Sequence, residues 1–141
     1  SALPNPGALV PELSRRARGF VLWAALRQLG RRGLDELVTR CVELAERLAR
    51  ELASVAGLSV LNEVVFNQVV IRAEPRRGTA PEAFVRELVV AIQAEGTCYA
   101  TPSLWRGGPA LRFAVSNADT TPADIDRSAA AVRRVYASLL G

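Results

Sequence analysis

The sequence predicts an α+β domain: a small, mostly antiparallel sheet of about four strands with helices packed on one face, preceded by a long broken N-terminal helix. Three observations carry this. Several stretches repeat apolar residues at spacings of three and four, the period of a half-buried helix. Short valine-rich or alternating stretches come in consecutive pairs, with too few residues between them for an all-parallel sheet. Half of the 141 residues are hydrophobic, which suffices for one core in one domain of ordinary size. The expected order is α-α-β-β-α-β-β-α.

Residues 1–11 hold Pro4, Pro6, Pro11 and Gly7 and read as an extended leader, with Ser1-Ala2 as a cloning remnant. Residues 12–141 read as a single domain. A helical pattern starts at Glu12, runs through Phe20, Trp23 and Leu26, and breaks at Gly30–Gly33. A longer helix is expected from about Leu34 to Val55. Its apolar positions Leu34, Leu37, Cys41, Leu44, Leu48, Leu52 and Val55 lie on one face. Glu36–Arg40, Glu43–Arg47 and Glu46–Arg50 are i,i+4 pairs in the favourable order. Gly57 fits the stop.

Two short strands follow, near Ser59–Asn62 and Gln68–Ala73, around a bend at Glu63–Asn67. Pro75-Arg76-Arg77-Gly78 is a turn. Pro81 suits a first helical position, and Phe84, Val85, Leu88, Val89 and Ile92 mark the buried face of a helix that ends at Gly96. Thr97–Thr101 reads as a strand and Pro102–Pro109 as a loop. Ala110–Ser116 alternates cleanly, with Leu111, Phe113 and Val115 on one side and Ala110, Arg112 and Ala114 on the other. Thr121-Pro122-Ala123-Asp124 opens the last helix with a capping box.

Composition excludes much. The net charge is +4, and all eighteen basic residues are arginine. The chain has no histidine, so it lacks the usual general base near neutral pH and the commonest neutral metal ligand. Without lysine it can form no side-chain Schiff base. Cys41 and Cys98 suggest neither a disulfide framework nor a zinc site and read as free thiols in a reducing cytoplasm. The arginines alternate with acids and have no interleaved aromatics for stacking bases, so nucleic acid is not expected. No apolar run reaches the length of a membrane span.

The stretch from Glu12 to Leu34, with Arg15-Arg16, Phe20, Trp23 and Gly30–Gly33, is similar to a segment of the group II pyridoxal-phosphate-dependent amino-acid decarboxylases. The resemblance continues through Leu61–Val69, Glu95-Gly96-Thr97-Cys98 and Trp105–Phe113. It covers nearly everything from about residue 11. It implies the aspartate-aminotransferase-like fold in a larger dimeric parent. An upstream large domain would hold pyridoxal 5'-phosphate, the Schiff-base lysine and the histidine that stacks on the ring. This chain would be the C-terminal small domain, binding no cofactor and inactive alone. The implied chemistry is loss of the α-carboxylate of an amino acid, with the pyridine ring as electron sink.

Arg112 is the first candidate for the substrate carboxylate. It sits mid-strand between two alanines, its planar guanidinium matches a carboxylate, and it resembles the carboxylate-binding arginine of the wider fold. Arg106, in the Trp-Arg-Gly-Gly loop, is second. Arg15, Arg16, Phe20 and Trp23 are the interface candidates. No catalytic or metal-binding residue is expected within the chain. The alternative reading is a free-standing α+β ligand-binding or dimerisation module.

Overall fold

The computed structural model describes residues 17–141, so the proline-rich leader, Arg15 and Arg16 lie outside the described residues. The elements are α1 (Arg18–Ala53), β1 (Leu58–Val60), β2 (Gln68–Ala73), α2 (Pro81–Glu95), β3 (Thr101–Trp105), β4 (Gly108–Ala114) and α3 (Pro122–Leu140). The chain divides into two compact units at Asp35 and Glu36.

The described part of the first unit is helical. Within α1, Gly30 alone leaves the helix, with φ 64° and ψ −173°. The expected break over Gly30–Gly33 is therefore one residue wide. Glycine reaches positive φ without a Cβ penalty, so a single residue suffices for the kink. Phe20 and Trp23 are 68% and 57% exposed, and their rings lie 5.9 Å apart.

In the second unit the sheet order is β1-β2-β4-β3, antiparallel throughout. This is the expected four-stranded antiparallel sheet. Val69, Ile71 and Ala73 of β2 join Leu111 and Phe113 of β4 and Val115 in one core cluster. Leu44, Leu48 and Leu52 of α1, Phe84, Leu88 and Ile92 of α2, and Ile125, Val132 and Tyr136 of α3 complete it. The helices thus cover one side of the sheet.

β2 begins and ends where the alternation places it, and α2 closes on Gly96 at φ 86°, whose N–H donates to the Ile92 carbonyl. Three expectations need correction. β1 ends at Val60, not at Asn62. Beyond Val60 the Asn62 side chain replaces the strand: its Oδ1 accepts from Val70 N–H at 2.8 Å and its Nδ2 donates to the Gln68 carbonyl at 3.0 Å.

The strand expected at Thr97–Thr101 lies instead at Thr101–Trp105. Residues 97–100 are taken by the end of α2: Glu95 accepts from Thr97 N–H at 2.9 Å, and Gln93 donates to the Ala100 carbonyl at 2.7 Å. The loop expected at Pro102–Pro109 is instead a tight hairpin whose only unpaired residues are Arg106 and Gly107, at φ 48° and 83°. Two positive φ values in a two-residue loop mark a type I′ turn. That turn makes Trp105–Gly108, Ser103–Ala110 and Thr101–Arg112 the bonded pairs, so the backbone of Pro102 and Leu104 points outward from the sheet edge. Pro102 therefore costs no ladder bond, which is why a proline fits inside this strand. Pro109 faces β2 and has no N–H, and the β2–β4 ladder stops next to it, at Ile71–Leu111.

One tertiary ion pair replaces an expected local one, while the expected Glu46–Arg50 pair forms at 3.8 Å. Arg47 does not pair with Glu43. It reaches Asp126 on α3 through two bonds of 2.7 and 2.9 Å, because a forked pair to one carboxylate outcompetes an exposed i,i+4 contact. Arg40 donates to the Ala118 carbonyl at 2.8 Å. At the start of α3 the capping box forms as read: Thr121 Oγ1 accepts from Asp124 N–H, and Asp124 accepts from Thr121 N–H.

Candidate functional site

The pleat sorts residues on the sheet by parity. The side away from the core cluster carries Val70 and Arg72 of β2, Ser103 and Trp105 of β3, and Ala110 and Arg112 of β4. Arg112 is exposed there, in a central strand, flanked by Ala110 and Ala114. Ala114 is exposed and Ala110 is buried. Short neighbours leave the guanidinium clear of side-chain competition. No ion pair engages Arg112 among the described residues; its backbone pairs with Thr101, and its carbonyl also accepts from Thr101 Oγ1 at 3.4 Å.

Arg106 lies elsewhere, exposed at the hairpin tip. Its φ of 48° is the one positive value at a described non-glycine residue. A side chain in that region costs on the order of 1 kcal/mol. The two candidate arginines are six residues apart along the hairpin. They do not form one cluster.

Arg72 was not singled out by sequence reasoning, yet it shares the open side with Arg112. Ile71 pairs with Leu111 and Val70 with Arg112, so the two arginines are diagonal cross-strand neighbours, about 7–8 Å apart at Cα. The signal was available: Val69, Ile71 and Ala73 face the core, which turns Arg72 the other way.

A surface cavity of about 440 Å³ with mixed polar and apolar walls is a different place. Cys98, Phe113, Asn117, Asp119, Asp124 and Ser128 contribute to its wall, and neither Arg112 nor Arg106 does. Burial, with Glu95 adding to it, pushes the Cys98 thiol up to about 11, so it is a poor nucleophile. Asp124 is already bound to Thr121 and Arg127. Cys41 is buried, and both cysteines are free. Among the described residues no group of three potential ligands could hold a metal, and no helix is long and apolar enough to cross a membrane. With no lysine in the chain, its residues do not fit covalent attachment of pyridoxal phosphate.

No family model matches the chain. Over 105 residues it is 30% identical to tyrosine decarboxylase 2 of Arabidopsis thaliana, which covers 73% of this chain and 19% of that protein. TDC of Oryza sativa, solved with PLP and tryptamine, matches 94% of this chain and 28% of its own, at 21% identity and a TM-score of 0.76. Catharanthus roseus tryptophan decarboxylase in complex with L-tryptophan matches 92% and 28%, at 22% identity and 0.75. Mouse CSAD matches 93% and 29%, at 21% identity and 0.69. The chain therefore spans between a fifth and three tenths of these relatives. Over that span it has the fold of the group II pyridoxal-phosphate-dependent decarboxylases.

Proposed function

We propose that the chain is the C-terminal small domain of a pyridoxal-phosphate-dependent amino-acid decarboxylase, a carboxy-lyase, and that it helps complete an active site it does not contain. The supporting observation is a fold match over 94% of the chain to 28% of a PLP-bound relative. The absent lysine fits the same reading: the cofactor and its Schiff-base lysine belong to the upstream large domain of the parent. The parent is a cytoplasmic homodimer, with Phe20 and Trp23, and the leader arginines Arg15 and Arg16, on its interface. Arg112 binds the substrate carboxylate; Arg106, apart from it at the hairpin tip, is the second substrate-binding candidate.

The test has two arms. Pyridoxal phosphate and borohydride added to the isolated chain should leave no pyridoxyl group on any side chain, by intact mass; a stable side-chain adduct overturns the reading. In the parent, Arg112→Gln should lower kcat/KM for the amino acid about a hundredfold, mostly through KM, because a charge-assisted bidentate contact is lost. Unchanged kcat/KM removes Arg112 from the site.

A further inference from the structure

The cavity of about 440 Å³ beside Cys98 has the size and the make-up of a small-molecule site. Its floor is core that the fold leaves uncovered: Leu48 of α1, Phe113 and Val115 at the end of β4, and Ile125 of α3 reach its wall, all four buried. Its charge is of one sign. Asp119 and Asp124 are the charged residues in the wall, and no arginine lines it. The Asp124 carboxylate is taken by Thr121 and Arg127. The Asp119 carboxylate has no hydrogen bond or ion pair among the described residues, although the Asp119 N–H donates to Asn117 Oδ1 at 3.1 Å. Arg40, which reaches the same loop, donates to the Ala118 carbonyl instead. Tyr99 stands in the wall 70% exposed, with no other ring against it among the described residues.

We infer that this cavity binds a small organic ammonium with an apolar body, the Asp119 carboxylate receiving the ammonium and the floor covering the body. The sign of the charge sets the class, because a carboxylate beside apolar surface gains more from a hydrogen-bonded cation than from a neutral ligand. The N-terminus of α3 would favour an anion, but its capping box already holds the Asp124 carboxylate there. A bare metal ion does not match: among the described residues no group of three potential ligands occurs, and an apolar floor offers a metal nothing. An ammonium on a hydrocarbon body uses both halves of the cavity. Its N–H donors meet Asp119, its body lies on Phe113 and Ile125, and the Tyr99 ring can face the cation. A zwitterionic amino acid fits worse, since its carboxylate would be brought against Asp119 and Asp124. The inference stands apart from the reading under Proposed function. Joined to that reading, it gives a decarboxylase a place that holds an amine product and refuses the amino acid.

The test is an amide-detected NMR titration of the 141-residue chain with 2-phenylethylamine, an ammonium at neutral pH. Shifts should concentrate at Tyr99, Asn117, Asp119 and Ser128 and saturate in the millimolar range or below. 2-Phenylethanol carries the same body without the charge, and phenylalanine carries the same ammonium beside a carboxylate. Each should bind about tenfold more weakly than the amine. Asp119→Asn should bring the amine down to the level of the alcohol. Glu82→Gln, which neutralises an exposed carboxylate on α2 outside the cavity, should change nothing. Equal affinity of amine and alcohol overturns the inference, and that comparison needs no variant. So does phenylalanine bound as tightly as the amine. Shifts that fall elsewhere on the chain overturn it too, as does an amine affinity that survives Asp119→Asn in a chain whose spectrum is otherwise unchanged.

Discussion

Gly57 and Tyr136 form a lock whose strength can be worked out and tested. The Tyr136 hydroxyl lies 3.1 Å from the Gly57 carbonyl and 2.9 Å from the Glu74 carbonyl. Gly57 has φ 85°, and a Cβ built there would lie 2.2 Å from that hydroxyl and 3.2 Å from ring carbon Cζ. Tyr136→Phe leaves Gly57 O with a second donor, Glu74 N–H at 2.8 Å, but takes from the Glu74 carbonyl the one donor described for it. The expected cost is about 1–2 kcal/mol. Gly57→Ala adds roughly 1 kcal/mol of backbone strain and must also push the hydroxyl away, for about 3 kcal/mol in all. In the Tyr136→Phe background the same alanine meets only ring carbons, so it should cost about 1–2 kcal/mol less than in the wild type. Urea unfolding followed by circular dichroism at the helix band measures all four corners of the cycle. Costs that add to within about 0.5 kcal/mol would refute the contact. The same hydroxyl sets an alkaline limit. Burial, with Glu74 adding to it, raises the Tyr136 phenol above its ordinary value. The native chain then keeps a proton that the unfolded chain releases. Stability from this group is complete below about pH 10 and falls as pH rises through the native value. Tyr136→Phe should remove that fall.

Three further outcomes are expected. Arg106→Asn should stabilise the chain by about 0.5–1 kcal/mol in urea, since Asn-Gly suits a type I′ turn where Arg106 holds φ 48°; a destabilised hairpin would contradict the strain. Arg47 holds the Asp126 carboxyl below its usual range through their hydrogen bond, with their charge attraction adding to it. Its contribution is present above about pH 4 and is lost as pH falls through the depressed native value, so Asp126→Asn should flatten the acid limb of a stability–pH profile. Iodoacetamide at pH 8 should alkylate native Cys98 about two hundredfold more slowly than an unstructured cysteine, from thiolate fraction alone; rapid labelling of the folded chain would show that the cavity beside it opens.

The parts of the fold legible in the sequence are those where one face is buried and the other wet. β2, α2 and α3 each meet that condition, and their limits follow from period and caps. The hairpin of β3 and β4 was obscured by its own punctuation. Pro102, Gly107, Gly108 and Pro109 read as a loop by residue type, but a type I′ turn needs only two of those residues, and an outward-facing proline loses nothing. Asn62 shows the converse: its side chain does the work of a strand backbone, so pattern alone extended β1 too far. Arg47 could not have been assigned to Asp126, because nothing local announces a partner 79 residues away. Arg112 was placed on the correct side by alternation, and the same rule turns Arg72 to that side.

Pro102 has a meaning beyond its strand. With its nitrogen outward it strikes one donor from the rim of β3, and the opposite rim, β1, is only three residues long. Another chain seeking to zip onto either rim finds too few backbone partners to hold it. Growth by ribbon, the route to fibrils, is discouraged at both ends of the sheet. Replacing Pro102 with valine or threonine would restore the donor and reopen the ribbon route.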